Sequence, residues 1–191
     1  MRLSRDEEKA LAALVATSKP ISGTFFRSAE RRFMDPSKVL SGSGTELYGG
    51  RFAPVGTKAV YLADSDAGAS QEVLARKARL GGASQISLDK YPRIVFAVDV
   101  RLQRAVRLVQ PRNASLKAIV VRSLSNDLEY SYAVGRFLAD AGVDGLFFKS
   151  AVGTTTNLIV FLENCGSTQL EIRQLAELLK TIATIAKSAG P

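Results

Sequence analysis

The segment Gly42-Ser-Gly-Thr-Glu-Leu-Tyr-Gly-Gly-Arg-Phe-Ala-Pro-Val-Gly56 places five glycines and a proline around one arginine, and the short apolar segment Ala59-Val-Tyr-Leu-Ala63 follows it. Glycines at this density allow positive φ angles and let the backbone approach a ligand closely. A guanidinium fixed among them, that of Arg51, can offer planar, bidentate donors to a phosphate. The alternative is a surface loop that carries a solvated arginine, and the segment alone leaves both interpretations open.

The length and composition are those of a folded soluble domain. The 191 residues suffice for one domain with a sizeable core, and no long Pro/Ser-rich linker divides them. No apolar run approaches the roughly 20 residues that a membrane span needs. The first residues turn acidic before any apolar stretch, which is not typical of a signal peptide. We therefore expect a single cytoplasmic domain over residues 1–191, with no membrane partner.

Two residue types restrict the chemistry. The chain has no histidine, which excludes Ser-His-Asp and Cys-His triads and the usual zinc sites. Its single cysteine, Cys165, permits no internal disulfide, in agreement with a reducing compartment. If the protein is an enzyme, its chemistry depends on carboxylates, hydroxyls and arginines, and we expect no metal.

The net charge of +8 indicates an anionic partner without choosing among nucleic acid, a nucleotide, an acidic protein or a membrane surface. The basic residues are dispersed in small groups rather than gathered in a tract. No zinc-finger spacing, basic zipper or aromatic RNA-binding strand occurs. A direct nucleic-acid partner is therefore not favoured.

The first half of the chain reads as a helix, two strands and a second helix. Ser4-x-x-Glu7 is a capping box, so a helix is predicted over about 5–17, ended by Lys19-Pro20. Residues 24–28 read as a short strand, the glycine-rich segment as a long loop, and Ala59–Ala63 as a second strand. The second helix is capped by Asp64 or Ser65 and stops at Gly81-Gly82.

The second half alternates strands and helices. Residues 93–100 alternate as a strand, with a second strand expected over 101–109, and residues 116–121 fit a strand or a helix. A helix is predicted over 130–141, followed by a buried hairpin of 145–148 and 158–162. From residue 168 a capping box, Thr168-x-x-Glu171, predicts an amphipathic helix to about 187. Packing onto the body is favoured for it over docking a second chain.

The motifs together resemble the RES-domain family. They occur in the family's order over about residues 23–161: Phe26-Arg27, Gly49-Gly-Arg-Phe-Ala-Pro-Val-Gly56, Val60-Tyr-Leu-Ala63, Gln71-Glu72-Val, Asp144-Gly-Leu-Phe-Phe-Lys-Ser150 and Asn157-Leu-Ile-Val-Phe161. The family is named after an arginine, a glutamate and a serine. Phe52 and Ala53 stand where its members usually have tryptophan and asparagine, so this chain resembles a divergent member.

The resemblance implies an α+β fold, with a mixed sheet core like that of ADP-ribosyltransferases and flanking helices, carried by residues 23–162 with helices at 5–17 and 168–187 as extensions. It also implies a toxin of a toxin-antitoxin system that consumes NAD, as a glycohydrolase, a phosphorylase or a protein ADP-ribosyltransferase. The acceptor of the ADP-ribose would be water, phosphate or a target protein. The expected partner is an Xre-like antitoxin, and an oligomer with that antitoxin is left open.

The resemblance assigns five site residues. Glu72 and Arg51 would be catalytic, with Glu72 facing the positive charge that develops on the ribose or holding its hydroxyls. Arg27, Arg51, Tyr61, Glu72 and Ser150 would bind NAD. Each also has a plain structural interpretation: a surface arginine for Arg27, a solvated loop arginine for Arg51, a core tyrosine for Tyr61, an exposed helix residue paired with Arg76 for Glu72, and a turn hydroxyl for Ser150.

The chemistry suits a chain without histidine. The nicotinamide of NAD is already a cationic leaving group, so breaking its bond to ribose needs no general acid. The transition state is an oxocarbenium ion that a carboxylate stabilises. Two alternatives stay open: a non-catalytic basic module that binds nucleic acid, whose affinity would fall steeply with salt, and a pseudo-enzyme that binds nucleotide or only its antitoxin.

Overall fold

A computed structural model describes residues 2–30, 33–79, 93–125, 127–151, 154–166 and 169–188, apart from the side chains of 73–79 and 185–188. Its helices and strands follow one another as α1 (Arg5–Ala16), β1 (Lys19–Glu30), α2 (Ser43–Tyr48), β2 (Ala59–Ala63), α3 (Asp66–Arg79), β3 (Arg93–Leu108), α4 (Ala114–Leu124), α5 (Leu128–Asp140), β4 (Gly145–Lys149), β5 (Thr156–Phe161), β6 (Leu170–Ile172) and α6 (Leu175–Ser188). None of the helices in this part of the chain has the length and apolarity that crossing a bilayer requires.

The described strands form a mixed sheet in the order β1-β2-β5-β4-β3-β6, and β1 also pairs with β3. Five strands therefore close on themselves, with β3 and β4 parallel and the other pairs antiparallel. The closure is uneven. β1 pairs with β3 along most of its length, whereas the pairing of β1 with β2 comprises Phe26 and Ala63 alone among the described residues. The sheet consequently opens between β1 and β2.

Among the described residues, two apolar clusters stabilise the sheet. One lies inside the closed strands and includes Val60, Val98, Phe147 and Leu158. The other lies on the opposite face and joins residues of α1, α4 and α5 to residues of β2, β3, β4 and β5, and Tyr130 is its largest fully buried side chain. The strands of the hairpin are apolar on both faces because both faces are covered.

Most of the predicted elements are present. The capping box at the start of α1 forms, with Ser4 and Glu7 bonded reciprocally. β2 has the predicted bounds, α5 begins two residues before its predicted start, and β4 and β5 form the buried hairpin. The ambiguous segment 116–121 belongs to the helix α4, whose cap is the side chain of Asn113. The predicted helix stop at Gly81-Gly82 lies outside the described residues.

Three predictions about the strands and the loop were wrong. β1 begins at Lys19 rather than near residue 24, because Pro20 falls at an irregularity in the pairing with β3. Residues 93–108 form one strand rather than two, since β1 pairs alongside almost all of it and no turn residue interrupts it. The glycine-rich loop contains the short helix α2, which the glycines Gly42 and Gly49 flank at positive φ.

The carboxyl-terminal helix was also predicted too early. Glu171 belongs to β6, where it pairs with Asp99 of β3, so it does not complete a capping box. The helix α6 begins at Leu175, after the turn residue Gln174 at positive φ. Its residues Leu178 and Ile182 pack against the inner core, which agrees with the favoured packing role, while Leu175 and Leu179 are exposed.

Candidate active site

Glu72 is held by two side chains from the β4–β5 hairpin. Its Oε1 accepts a hydrogen bond from Ser150 Oγ and a second, of 2.7 Å, from Asn157 Nδ2. Ser150 is 3% exposed and Asn157 is 5% exposed, whereas Glu72 is half-buried. The buried side chains of Ser150 and Asn157 therefore fix one oxygen of the carboxylate, and the exposed part of Glu72 is available to a ligand.

The elements around Glu72 explain this arrangement. α3 follows β2 directly, and Ser65 Oγ caps it by accepting from the backbone N–H of Gly68 at 3.1 Å. Asp64, at the junction, exchanges two hydrogen bonds with the backbone of Thr156 at the start of β5. The first turns of α3 are thereby fixed against the hairpin that carries Ser150 and Asn157.

Tyr61 anchors the glycine-rich segment to the sheet. Its hydroxyl oxygen accepts from the backbone N–H of Phe52 at 3.2 Å, and its ring meets that of Phe148 edge-on at 6.3 Å. A Cβ on Gly50 would lie 2.5 Å from the Tyr61 hydroxyl oxygen, so a larger residue there would force the Tyr61 ring to shift. Tyr61 thus fills the structural role of a half-buried core tyrosine, and its binding of NAD stays a prediction.

The opposite side of the same segment packs on α5. A Cβ on Gly135 would collide with the backbone carbonyl of Phe52, so the helix and the segment touch backbone to backbone. Phe52 is 2% exposed and meets Phe148 at a ring distance of 4.9 Å. Phe52 and Ala53 are consequently part of the core, whereas Val55 and Gly56 of the same segment are exposed.

Arg51 lies between these anchors. Arg51 is half-buried and lines a cavity with room for about one water molecule. The other lining residues include Phe52, Phe148 and Lys149. Because Lys149 precedes Ser150 directly, Arg51 is near the end of β4 at which Glu72 is held.

Arg27 occupies the opening between β1 and β2. Its Nη1 donates to the backbone carbonyl of Tyr61 at 3.1 Å, and its Nε is buried with no hydrogen-bond partner in the described part of the chain. Burial, and secondarily the charge of Arg93, lower the pKa of Arg27 to about 10. The buried Nε and the lowered pKa of Arg27 do not fit a fully solvated arginine, and the role of Arg27 in binding NAD stays a prediction.

The structure brings the predicted residues together in pairs. Glu72 contacts Ser150, and Arg27 contacts Tyr61. Tyr61 in turn bonds the residue after Arg51. Whether both guanidinium groups and the carboxylate bind one ligand stays a prediction. Sequence reasoning missed Asn157 as a site residue, although it is the one amide in the otherwise apolar run 157–162.

These elements define an α+β protein with a mixed six-stranded sheet and flanking helices, as predicted. The family model of the RES domain matches residues 24–178. The chain therefore belongs to the RES domain family, as the motif order indicated.

The fold also has a solved counterpart. A chain of the M. tuberculosis MbcT-MbcA toxin-antitoxin complex superposes with a TM-score of 0.66 and 22% sequence identity, over 90% of this chain and 91% of that one. At this identity the likeness establishes the fold. No curated protein matches this chain.

Proposed function

We propose that this protein is a RES-type toxin that cleaves the bond between nicotinamide and ribose in NAD. The observation that carries the proposal is Glu72 held by Ser150, because these are the glutamate and serine that the family resemblance assigns to the site. They lie 78 positions apart in the chain and meet in a hydrogen bond. A carboxylate fixed in this way is the group that an oxocarbenium-like transition state requires.

Arg27 and its surroundings supply the second part of the proposal, a place for the pyrophosphate. The Arg27 guanidinium and that of Arg93 are close enough for one charge to lower the pKa of the other. Glu30 forms an ion pair with Arg93 at 3.3 Å. An anion at Arg27 would satisfy its buried Nε and relieve the repulsion between the two cations.

The reaction then needs little further chemistry. The C–N bond breaks with its electron pair leaving on nicotinamide, and Glu72 stabilises the cation that remains on the ribose. Water, phosphate or a side chain of a target protein attacks that cation and releases a proton to the solvent. The three acceptors give a glycohydrolase, a phosphorylase or an ADP-ribosyltransferase, respectively.

The family resemblance adds an Xre-like antitoxin as the partner, and the complex of similar fold is itself described as a toxin-antitoxin complex. A toxin that destroys NAD must be neutralised in the cell that makes it. We therefore expect induced expression of this chain alone to lower cellular NAD and arrest growth, and a variant without Glu72 to do neither.

The direct test is nicotinamide release from NAD by purified protein, with and without phosphate and with and without added cell lysate. Glu72→Gln is the informative variant because its amide oxygen still accepts from Ser150 and Asn157 while the charge is lost. Release should fall about 100-fold or more. The matched control is Glu8→Gln, an exposed glutamate on α1, which should behave as wild type.

Arg51→Gln tests the second predicted catalytic residue in the same assay. We expect a loss of about 10-fold to 100-fold if its guanidinium binds the substrate phosphates or orients the ribose. A wild-type protein that is inert under all four conditions, or a Glu72→Gln variant that is fully active, would contradict the proposed function and favour the pseudo-enzyme.

A further inference from the structure

Asn157 presents a buried polar atom that the fold leaves unused. Its Nδ2 donates to Glu72 Oε1, but its Oδ1 is buried and has no hydrogen-bond partner in the described part of the chain. The residue is 5% exposed and lies on β5 between Ala63 of β2 and Phe148 of β4. Its register position therefore places it on the sheet beneath Glu72.

The orientation of this amide follows from its neighbour. A carboxylate oxygen that accepts from Ser150 and Asn157 requires a donor from each, so the amide nitrogen must face Glu72. The reversed amide would bring two acceptors together. Oδ1 therefore points away from Glu72 Oε1 while remaining bonded to the same carbon as Nδ2, which keeps it beside the carboxylate.

A buried acceptor without a donor is unfavourable, and native proteins keep few of them. A second oxygen of the hairpin, Thr155 Oγ1, is likewise buried without a hydrogen-bond partner among the described residues. Thr155 lies two positions before Asn157 and contacts the first turn of α3 at Gly68. Both oxygens thus belong to the part of the β4–β5 hairpin that packs against α3 near Glu72.

We propose that Asn157 binds the substrate and positions Glu72 at the same time. Oδ1 accepts a hydrogen bond from a neutral donor of the dinucleotide, either a ribose hydroxyl or the carboxamide N–H of nicotinamide, while Nδ2 holds the carboxylate. Phosphate oxygens carry no hydrogen to donate, so the pyrophosphate lies elsewhere. This inference rests on the proposed function and adds Asn157 as a residue that binds the nicotinamide-ribose end of the substrate.

The two roles separate in the kinetics of two variants. Asn157→Asp keeps an acceptor oxygen and loses the donor to Glu72, so we expect kcat to fall about 100-fold and KM to stay within about 3-fold, at pH 8.5. Asn157→Ala loses both groups, so kcat should fall similarly and KM should rise about 10-fold or more. If Asn157 had only a structural role, KM would not rise in Asn157→Ala relative to Asn157→Asp.

Nicotinic acid adenine dinucleotide, which lacks the carboxamide N–H, identifies the donor. If the carboxamide is the donor, Asn157→Ala raises KM for NAD and leaves KM for this analogue unchanged. If a ribose hydroxyl is the donor, KM rises about equally for both substrates. Either result supports the proposal, because in both cases a neutral donor of the substrate loses its acceptor, Oδ1 of Asn157.

Asn164 offers the matched control. Its Nδ2 donates to two backbone carbonyls, those of Ala139 and Val143, beyond the opposite end of β5. Asn164→Ala should lower the unfolding midpoint without changing kcat or KM. An active wild type with Asn157 variants that retain its kcat and KM would overturn this inference and leave the proposed function standing. A wild type that neither binds nor cleaves NAD would overturn both.

Discussion

Ser150, at the end of β4, donates its hydroxyl hydrogen to the carboxylate of Glu72 on α3. Ser150 is almost fully buried and Glu72 is half-buried, so the hydroxyl fixes the carboxylate from below. A glutamate side chain without such a partner samples many rotamers, and ordering it during catalysis would cost side-chain entropy. The hydrogen bond therefore prepares Glu72 for its proposed role before substrate arrives.

Removing the serine hydroxyl should affect both activity and stability. We expect Ser150→Ala to lower kcat for NAD cleavage about 10-fold to 100-fold, because Glu72 loses one of its two described donors. The free energy of unfolding should fall by about 1.5–3 kcal/mol, the usual range for a hydrogen bond to a charged group. Steady-state kinetics and urea unfolding measure the two effects.

Ser131 provides the comparison for that prediction. It is a fully buried serine on α5 whose hydroxyl donates to the backbone carbonyls of Ser123 and Asp127. Ser131→Ala should reduce stability and leave kcat unchanged. Equal losses of activity in the two variants would mean that Ser150 acts through folding alone.

Arg27→Gln should weaken substrate binding without weakening the fold. We expect KM for NAD to rise about 10-fold to 100-fold if Arg27 binds the pyrophosphate. Stability should stay within about 1 kcal/mol of wild type or increase, because burial and the charge of Arg93 both disfavour the charged form of Arg27. Isothermal titration with NAD and urea unfolding test both statements, with the exposed Arg136→Gln as control.

Two glycines of the same segment should respond differently to alanine. Gly50→Ala would place a methyl group against the Tyr61 ring and should cost about 1–3 kcal/mol of stability, with a matching loss of activity as Arg51 shifts. Gly44, inside α2, has open space around it, so Gly44→Ala should be neutral or stabilise by up to about 1 kcal/mol. Parallel urea titrations would decide, and equal effects would contradict the packing described for Tyr61.

Gly135→Ala should be the more damaging change. The added methyl group meets the backbone carbonyl of Phe52, which cannot rotate away as a side chain would. We expect a loss of more than about 3 kcal/mol, visible as low soluble yield or an unfolding midpoint far below that of Gly50→Ala. Near-wild-type stability would show that α5 and the glycine-rich segment are less closely packed than the structure has them.

Cys165 should make stability fall at high pH. Burial, and secondarily the charge of Asp144, raise the pKa of Cys165 to about 12 from an ordinary value of 9.0. Between these values the unfolded thiol loses its proton while the folded thiol keeps it, so the free energy of unfolding decreases as pH rises. Cys165→Ala should show a shallower decrease than wild type between pH 9 and 10.5. Identical slopes would indicate that the thiol is not protected by folding.

The sequence alone was sufficient for the local elements and for the family. The capping box at Ser4 and Glu7, the alternation along residues 93–100 and the apolar runs of the hairpin depend on neighbours in the chain, and the structure contains all three. The RES motifs were recognisable because their residues and order are written in the chain itself. The same likeness identifies Glu72 and Ser150 as site residues, although 78 positions separate them in the chain.

Long-range packing decided the rest. Residues 170–172 form a strand because they pair with β3. Their own sequence contains no signal that would favour a strand over the helix that the capping-box pattern predicts. The contact of Asn157 with Glu72 joins positions 85 apart, so no local pattern could reveal it. The burial of the Arg27 guanidinium, likewise, depends on β2, where the carbonyl of Tyr61 accepts its hydrogen bond. Local hydrogen bonds and periodicity act over a few residues, whereas the surroundings of a charged or polar side chain are set by strands that meet only when the sheet closes.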